Sequence, residues 1–84
     1  MEMREVFLKA IENLEKELDV PVKISVNESF INSGSEDEKF ELSVHLGINK
    51  KVYEIVAISS DGEPEDAWNQ VVMRTMFNGI IRML

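Results

Sequence analysis

Sixteen carboxylates, one imidazole and no thiol are what this 84-residue sequence offers to chemistry. Without cysteine there is no thiol nucleophile, no thiolate zinc site and no disulfide scaffold. His45 is the sole imidazole, so any Ser/His/Asp arrangement would have to be built around it. The alternation of its neighbours places His45 on the outer face of a strand beside Glu54, which is the position of a surface cross-strand pair. A small acid–base or metal-dependent enzyme using His45 with Glu54 is the one catalytic reading these residues allow. The chain is otherwise expected not to be an enzyme, with no catalytic residues and no cofactor. Gly34, Gly47, Gly62 and Gly79 are scattered, so neither a phosphate-cradling loop nor a dinucleotide fingerprint can be drawn. Asn27-Glu28-Ser29 matches a glycosylation acceptor pattern, which carries weight only in a secreted chain.

The carboxylates are distributed unevenly. Glu36, Asp37 and Glu38 form one run; Asp61, Glu63, Glu65 and Asp66 form another, and neither stretch contains a base. Carboxylates bind hard cations, but both runs lack the alternating ligands, fixed glycine and terminal Glu of a helix-loop-helix calcium site, so no metal is expected. Acids at the start of a helix are favourable without any metal, because they meet its positive end. The nine Lys and Arg residues leave a formal net charge of −7. They are dispersed, with Lys50-Lys51 the only adjacent pair, so the electrostatic footprint of direct nucleic-acid binding is missing.

The elements that must position these groups follow from periodicity. Met3, Val6, Phe7, Ala10, Ile11, Leu14 and Leu18 recur at three- and four-residue steps, which predicts a helix from Met3 to Asp19. Glu5–Lys9 and Glu12–Lys16 support it as i,i+4 pairs, and Pro21 prevents its continuation. From Val20 the period becomes two: Val20, Val22, Ile24 and Val26 form the dry face of a first strand that extends through Phe30 and Ile31. The polar stretch Asn32 to Glu38 reads as a connecting loop. Phe40, Leu42, Val44, Leu46 and Ile48 then alternate along a second strand, and Asn49-Lys50 makes a two-residue turn into a third, Lys51 to Ser59. That register pairs Ile48 with Lys51, Leu46 with Tyr53 and Val44 with Ile55. It sends Tyr53, Ile55 and Ala57 into the core and keeps Glu54 out of it, where an unpaired carboxylate would be costly. Pro64 suits the first turn of a second helix that runs toward Leu84, and Gly79 marks either close packing or an early end after Asn78.

The expected fold class is therefore α+β: an α-β-β-β-α chain whose three-stranded antiparallel meander carries two helices on one face. Residues 1–84 make a single small acidic domain, whose core is thin at this length. Two surfaces carry surplus apolar residues. Val56 and Ile58 fall on the sheet face away from the helices. Met73, Phe77, Ile81 and Leu84 belong to a stripe of Val72, Met73, Met76, Phe77, Ile80, Ile81, Met83 and Leu84, with Arg74, Asn78 and Arg82 on its polar side. A stripe this wide either packs on the sheet and the first helix together or offers part of itself to a partner or a second copy.

The α-β-β-β-α order resembles the double-stranded RNA-binding domain in layout. That family places a basic cluster at the start of its second helix to hold phosphates. Here Asp61-Gly62-Glu63-Pro64-Glu65-Asp66 occupies the corresponding stretch and would repel them. Layout and charge are also similar to those of small phage-encoded inhibitors, among them anti-CRISPR proteins, that present carboxylates where a partner expects nucleic-acid phosphates. The expectation is a non-enzymatic interaction module that binds a protein partner with a basic, nucleic-acid-handling site through Glu36, Asp37, Glu38, Asp61, Glu63, Glu65 and Asp66. The alternative is a homo-oligomeric accessory protein, a homodimer for instance, assembled through the apolar surface of helix two or strand three. The acidic opening Met1-Glu2-Met3-Arg4-Glu5 lacks the layout of a secretion signal, and no apolar run approaches the ~20 residues that cross a bilayer. A cytoplasmic location without membrane contact is expected.

Overall fold

The computed structural model describes residues 2–32 and 38–77. In chain order the elements are α1 (Met3–Leu18), β1 (Val22–Asn32), β2 (Glu38–Ile48), β3 (Lys51–Ser59) and α2 (Pro64–Val72), the last continuing into a π-helical turn, Met73–Phe77. The three strands form one open antiparallel meander in the order β1-β2-β3. The fold is α+β, as the periodicities predict.

Each boundary has a local cause. α1 ends where Asp19 turns into the left-handed region at φ 54° and donates its N–H to the Glu15 carbonyl, two residues ahead of Pro21. The strand begins at Val22 rather than Val20, and the Glu15 carboxylate accepts the Val22 N–H at 3.0 Å. The expected loop Asn32–Glu38 is shorter than its polar composition implies, because Asn32 and Glu38 are themselves a paired end of β1 and β2. Asn49 and Lys50 both adopt positive φ, 51° and 70°, the signature of a type I′ turn, and Ile48 pairs with Lys51 across it. Val44 therefore faces Ile55, Leu46 faces Tyr53 and His45 faces Glu54.

The core lies between the helices and the middle of the sheet. β2 contributes Phe40, Leu42, Val44, Leu46 and Ile48, all buried; β3 contributes Ile55 and Ala57, with Tyr53 half-buried at the edge. α1 supplies Phe7, Ile11 and Leu14, and α2 supplies Ala67, Trp68, Val71 and Val72. The Phe7 and Trp68 rings meet at a centroid distance of 5.8 Å, which locks one helix against the other. β1 is covered in part, with Val26 half-buried against the core. Val22 is buried, but Ile24 and Phe30, on the same face, are 37% and 59% exposed, so the expected dry face of this strand is only partly dry.

The second helix departs from expectation in its phase. The buried stripe is Ala67, Trp68, Val71, Val72 and Thr75, while Met73 and Met76 face outward. Thr75 is fully buried because its hydroxyl bonds back to the Val71 and Val72 carbonyls at 2.8 and 3.2 Å, leaving its methyl group to pack. Thr75 is not among the residues of the expected stripe. Arg74, read on the polar side, is exposed and donates to the carbonyl of Val56 on β3. Ile81, Leu84 and the question of Gly79 lie outside the described residues, as does the side chain of Phe77.

Candidate functional site

The turn that leaves β3 builds an acidic end on the molecule. Asp61 organises it: its carboxylate accepts the hydroxyl proton of buried Ser59 and the N–H of Glu63, the latter at 3.0 Å. These bonds, the Ser59 hydroxyl first, hold the Asp61 carboxyl below its ordinary range. Gly62 follows at φ 76°, and its N–H closes the turn on the Ser59 carbonyl at 3.3 Å. A side chain at this position would put its Cβ 2.9 Å from the Glu38 carbonyl oxygen. The glycine thus lets the turn lie directly against the start of β2.

That approach has a consequence for charge. It sets Glu38, the described end of the first acidic run, against Gly62, in the middle of the stretch that carries Asp61, Glu63, Glu65 and Asp66. Glu63 is the N-cap residue of α2, Pro64 fills its first position, and Glu65 and Asp66 stand in its first turn. Glu65 also accepts the N–H of Met3 at 2.9 Å, which ties the first turn of α1 to the first turn of α2. All five carboxylates are exposed. Met3, Asp61, Glu63, Glu65, Asp66 and Asn69 line a shallow open depression of about 480 Å³ there. Among the described residues, no Lys or Arg forms an ion pair at this end; the pairs found are Lys16–Glu12 and His45–Glu54. Glu36 and Asp37 lie outside the described residues.

The chain matches no protein-family model, no curated protein and no solved structure. Its site is therefore read from its own geometry.

Two of the five acids have internal duties, Asp61 in the turn and Glu65 on the Met3 amide. Glu38, Glu63 and Asp66 have no described side-chain partner, which makes them the carboxylates best placed to meet something outside the chain. Sequence reasoning grouped all seven acids alike and missed Gly62, Met3 and Asn69. The pattern Ser59-x-Asp61-Gly62 before an N-cap and Pro64 is the local signal that could have singled out the turn.

His45 and Glu54 stand where the strand alternation put them, 2.7 Å apart on the outer sheet face with both side chains exposed. None of the described depressions is lined by either residue. Val56 and Ile58 lie outward on the same face, 37% and 50% exposed, and Val52 extends their row at 71%. Among the described residues, no group of three or more acids or imidazoles is placed to hold a metal ion, and no helix is long and apolar enough to cross a membrane.

Proposed function

We propose that the protein is a non-enzymatic, cytoplasmic binding module whose acidic end docks on a basic, nucleic-acid-handling site of a protein partner. The observation that carries this reading is the seating of Gly62 on the Glu38 carbonyl, which brings Glu38 to the stretch that carries Asp61, Glu63, Glu65 and Asp66, all of them exposed. Carboxylates gathered this way offer a basic groove what a run of phosphates offers it, a row of anionic oxygens at the surface. Their attraction speeds encounter and selects partners more than it adds affinity. The phage-inhibitor likeness belongs to this reading as one form of it, a nucleic-acid mimic.

The test is capture on immobilised protein at low salt from a host extract freed of nucleic acid, followed by challenge with duplex DNA or RNA. Release of a basic partner by the nucleic acid supports the reading. A partner indifferent to both nucleic acid and salt contradicts it.

A further inference from the structure

The two edges of the sheet are finished differently. On β3, the carbonyls of Val56 and Ile58 point away from β2 and are taken by Arg74 and Gln70, one turn apart on the second helix, with Gln70 donating at 2.9 Å. Long side chains from the covering helix thus occupy that edge. The same bonds fix the direction of every backbone group in the sheet. Even-numbered residues of β3 face outward, so odd-numbered ones face β2. Through the pairings Ile48↔Lys51 and Lys23↔Gly47, the even-numbered residues of β1 must then face outward as well. The Val22 N–H, held by Glu15, agrees.

Beyond Val22 no described residue closes that edge. Among the described residues, nothing outside the strand bonds the backbone of Ile24, Val26, Glu28 or Phe30. Pro21 and the Glu15 bond close only the first end of β1. The same four residues point their side chains to the helix-bearing face, where Ile24 and Phe30 are substantially exposed. Free backbone donors and acceptors and an apolar row thus coincide on one stretch, the arrangement that accepts another strand.

We propose that the strand it accepts is β1 of a second copy, added antiparallel about a two-fold axis at Asn27. In that register Ile24 meets Phe30 of the second copy, Val26 meets Glu28 so that the two carboxylates stay apart, and the two outward-facing backbones exchange their bonds. Sliding two residues one way sets Glu28 against Glu28, which repels. Sliding two the other way sets Phe30 against Val22, whose N–H is already engaged, and loses the Ile24–Phe30 pairs. The sheet would run continuously through both copies. The contact is smaller than a standard interface of ~1,600 Å² and gives a weak, reversible dimer. Each copy carries −7, so this association strengthens with salt, opposite in sign to binding through the acidic end.

Sedimentation at up to about 1 mM protein, at low and moderate salt, tests it. The expected result is a monomer–dimer equilibrium that Glu28→Pro abolishes, since that change removes an outward N–H while sparing the bonds to β2. The chain has no cysteine, so Asn27→Cys introduces a single thiol. On the axis it faces its own copy in a non-hydrogen-bonded pair, with Cα atoms ~4.5 Å apart, within disulfide reach. It should cross-link on oxidation at least tenfold faster than Ser25→Cys, and it reports even if Glu28→Pro fails to fold. A strict monomer overturns the proposal. So does a dimer that cross-links without preference for position 27, or one that survives Glu28→Pro in folded form; either would move the contact elsewhere, for example to Val52, Val56 and Ile58.

Discussion

Asp61 and Gly62 carry the acidic end at the scale of single residues, one by charge and one by the absence of a side chain. Asp61 titrates below its ordinary value of 3.8 because the Ser59 hydroxyl and the Glu63 amide favour its ionised form. A carboxyl depressed by folding contributes stability that is complete above its unfolded value and is lost as pH falls through its folded one. Asp61→Asn keeps the shape and removes the charge. The stability gap between wild type and this variant should stay constant at neutral pH and shrink below about pH 4, as urea titrations at several pH values would measure. A gap that widens on acidification would contradict the assignment. Gly62→Ala meets two penalties at once, a positive φ and a Cβ 2.9 Å from the Glu38 oxygen. Together they should cost about 2 kcal/mol, read as a lower urea midpoint at unchanged slope. An unaltered midpoint would mean the turn does not seat on β2 as described.

At the scale of elements, the turn between β2 and β3 keeps a strained residue where a glycine would be relaxed. Lys50 sits at φ 70°. Relief of about 1–2 kcal/mol from Lys50→Gly, less ~0.4–1 kcal/mol for the added freedom of the unfolded chain, leaves a gain of about 0.5–1 kcal/mol. The thermal midpoint should rise by roughly 2–8 °C, and a fall would argue against the type I′ geometry. This turn, the strand alternations and Pro64 at the first position of α2 were legible because each depends on local sequence alone. The register of β2 on β3 followed from the turn length together with the cost of burying Glu54. Two features were not legible for the opposite reason. A hydroxyl that silences itself on the preceding turn made Thr75 a core residue, so the buried stripe of α2 sat apart from its methionines. The alternation of β1 gives its two faces, but whether a helix covers one of them is decided by packing between distant elements. Ile24 was therefore expected on the dry face and lies partly outside it, whereas Val22 and Val26 do pack on the core.

At the scale of the whole molecule, four of the carboxylates line one depression in addition to the high net charge. The two acidic runs were visible in the sequence as composition. The approach of Glu38 to the second run was not, because it rests on the pairing of Phe40 with Ser59, which brings the start of β2 beside the turn that leaves β3. The acidic surface and the open β1 edge are separate features, and the opposite salt dependences expected of them let them be studied apart. If the gathering of charge matters, its position must count as well as its sum. The direct measurement compares two double reversals of equal net charge change, Glu63→Lys with Asp66→Lys at the acidic end and Glu12→Lys with Glu17→Lys on α1. The quantity measured is the affinity for the captured partner across a salt series. The account predicts that the first pair weakens binding at least tenfold and flattens its salt dependence, while the second leaves both near wild type. Equal losses from the two pairs would reduce the acidic end to bulk charge and contradict it.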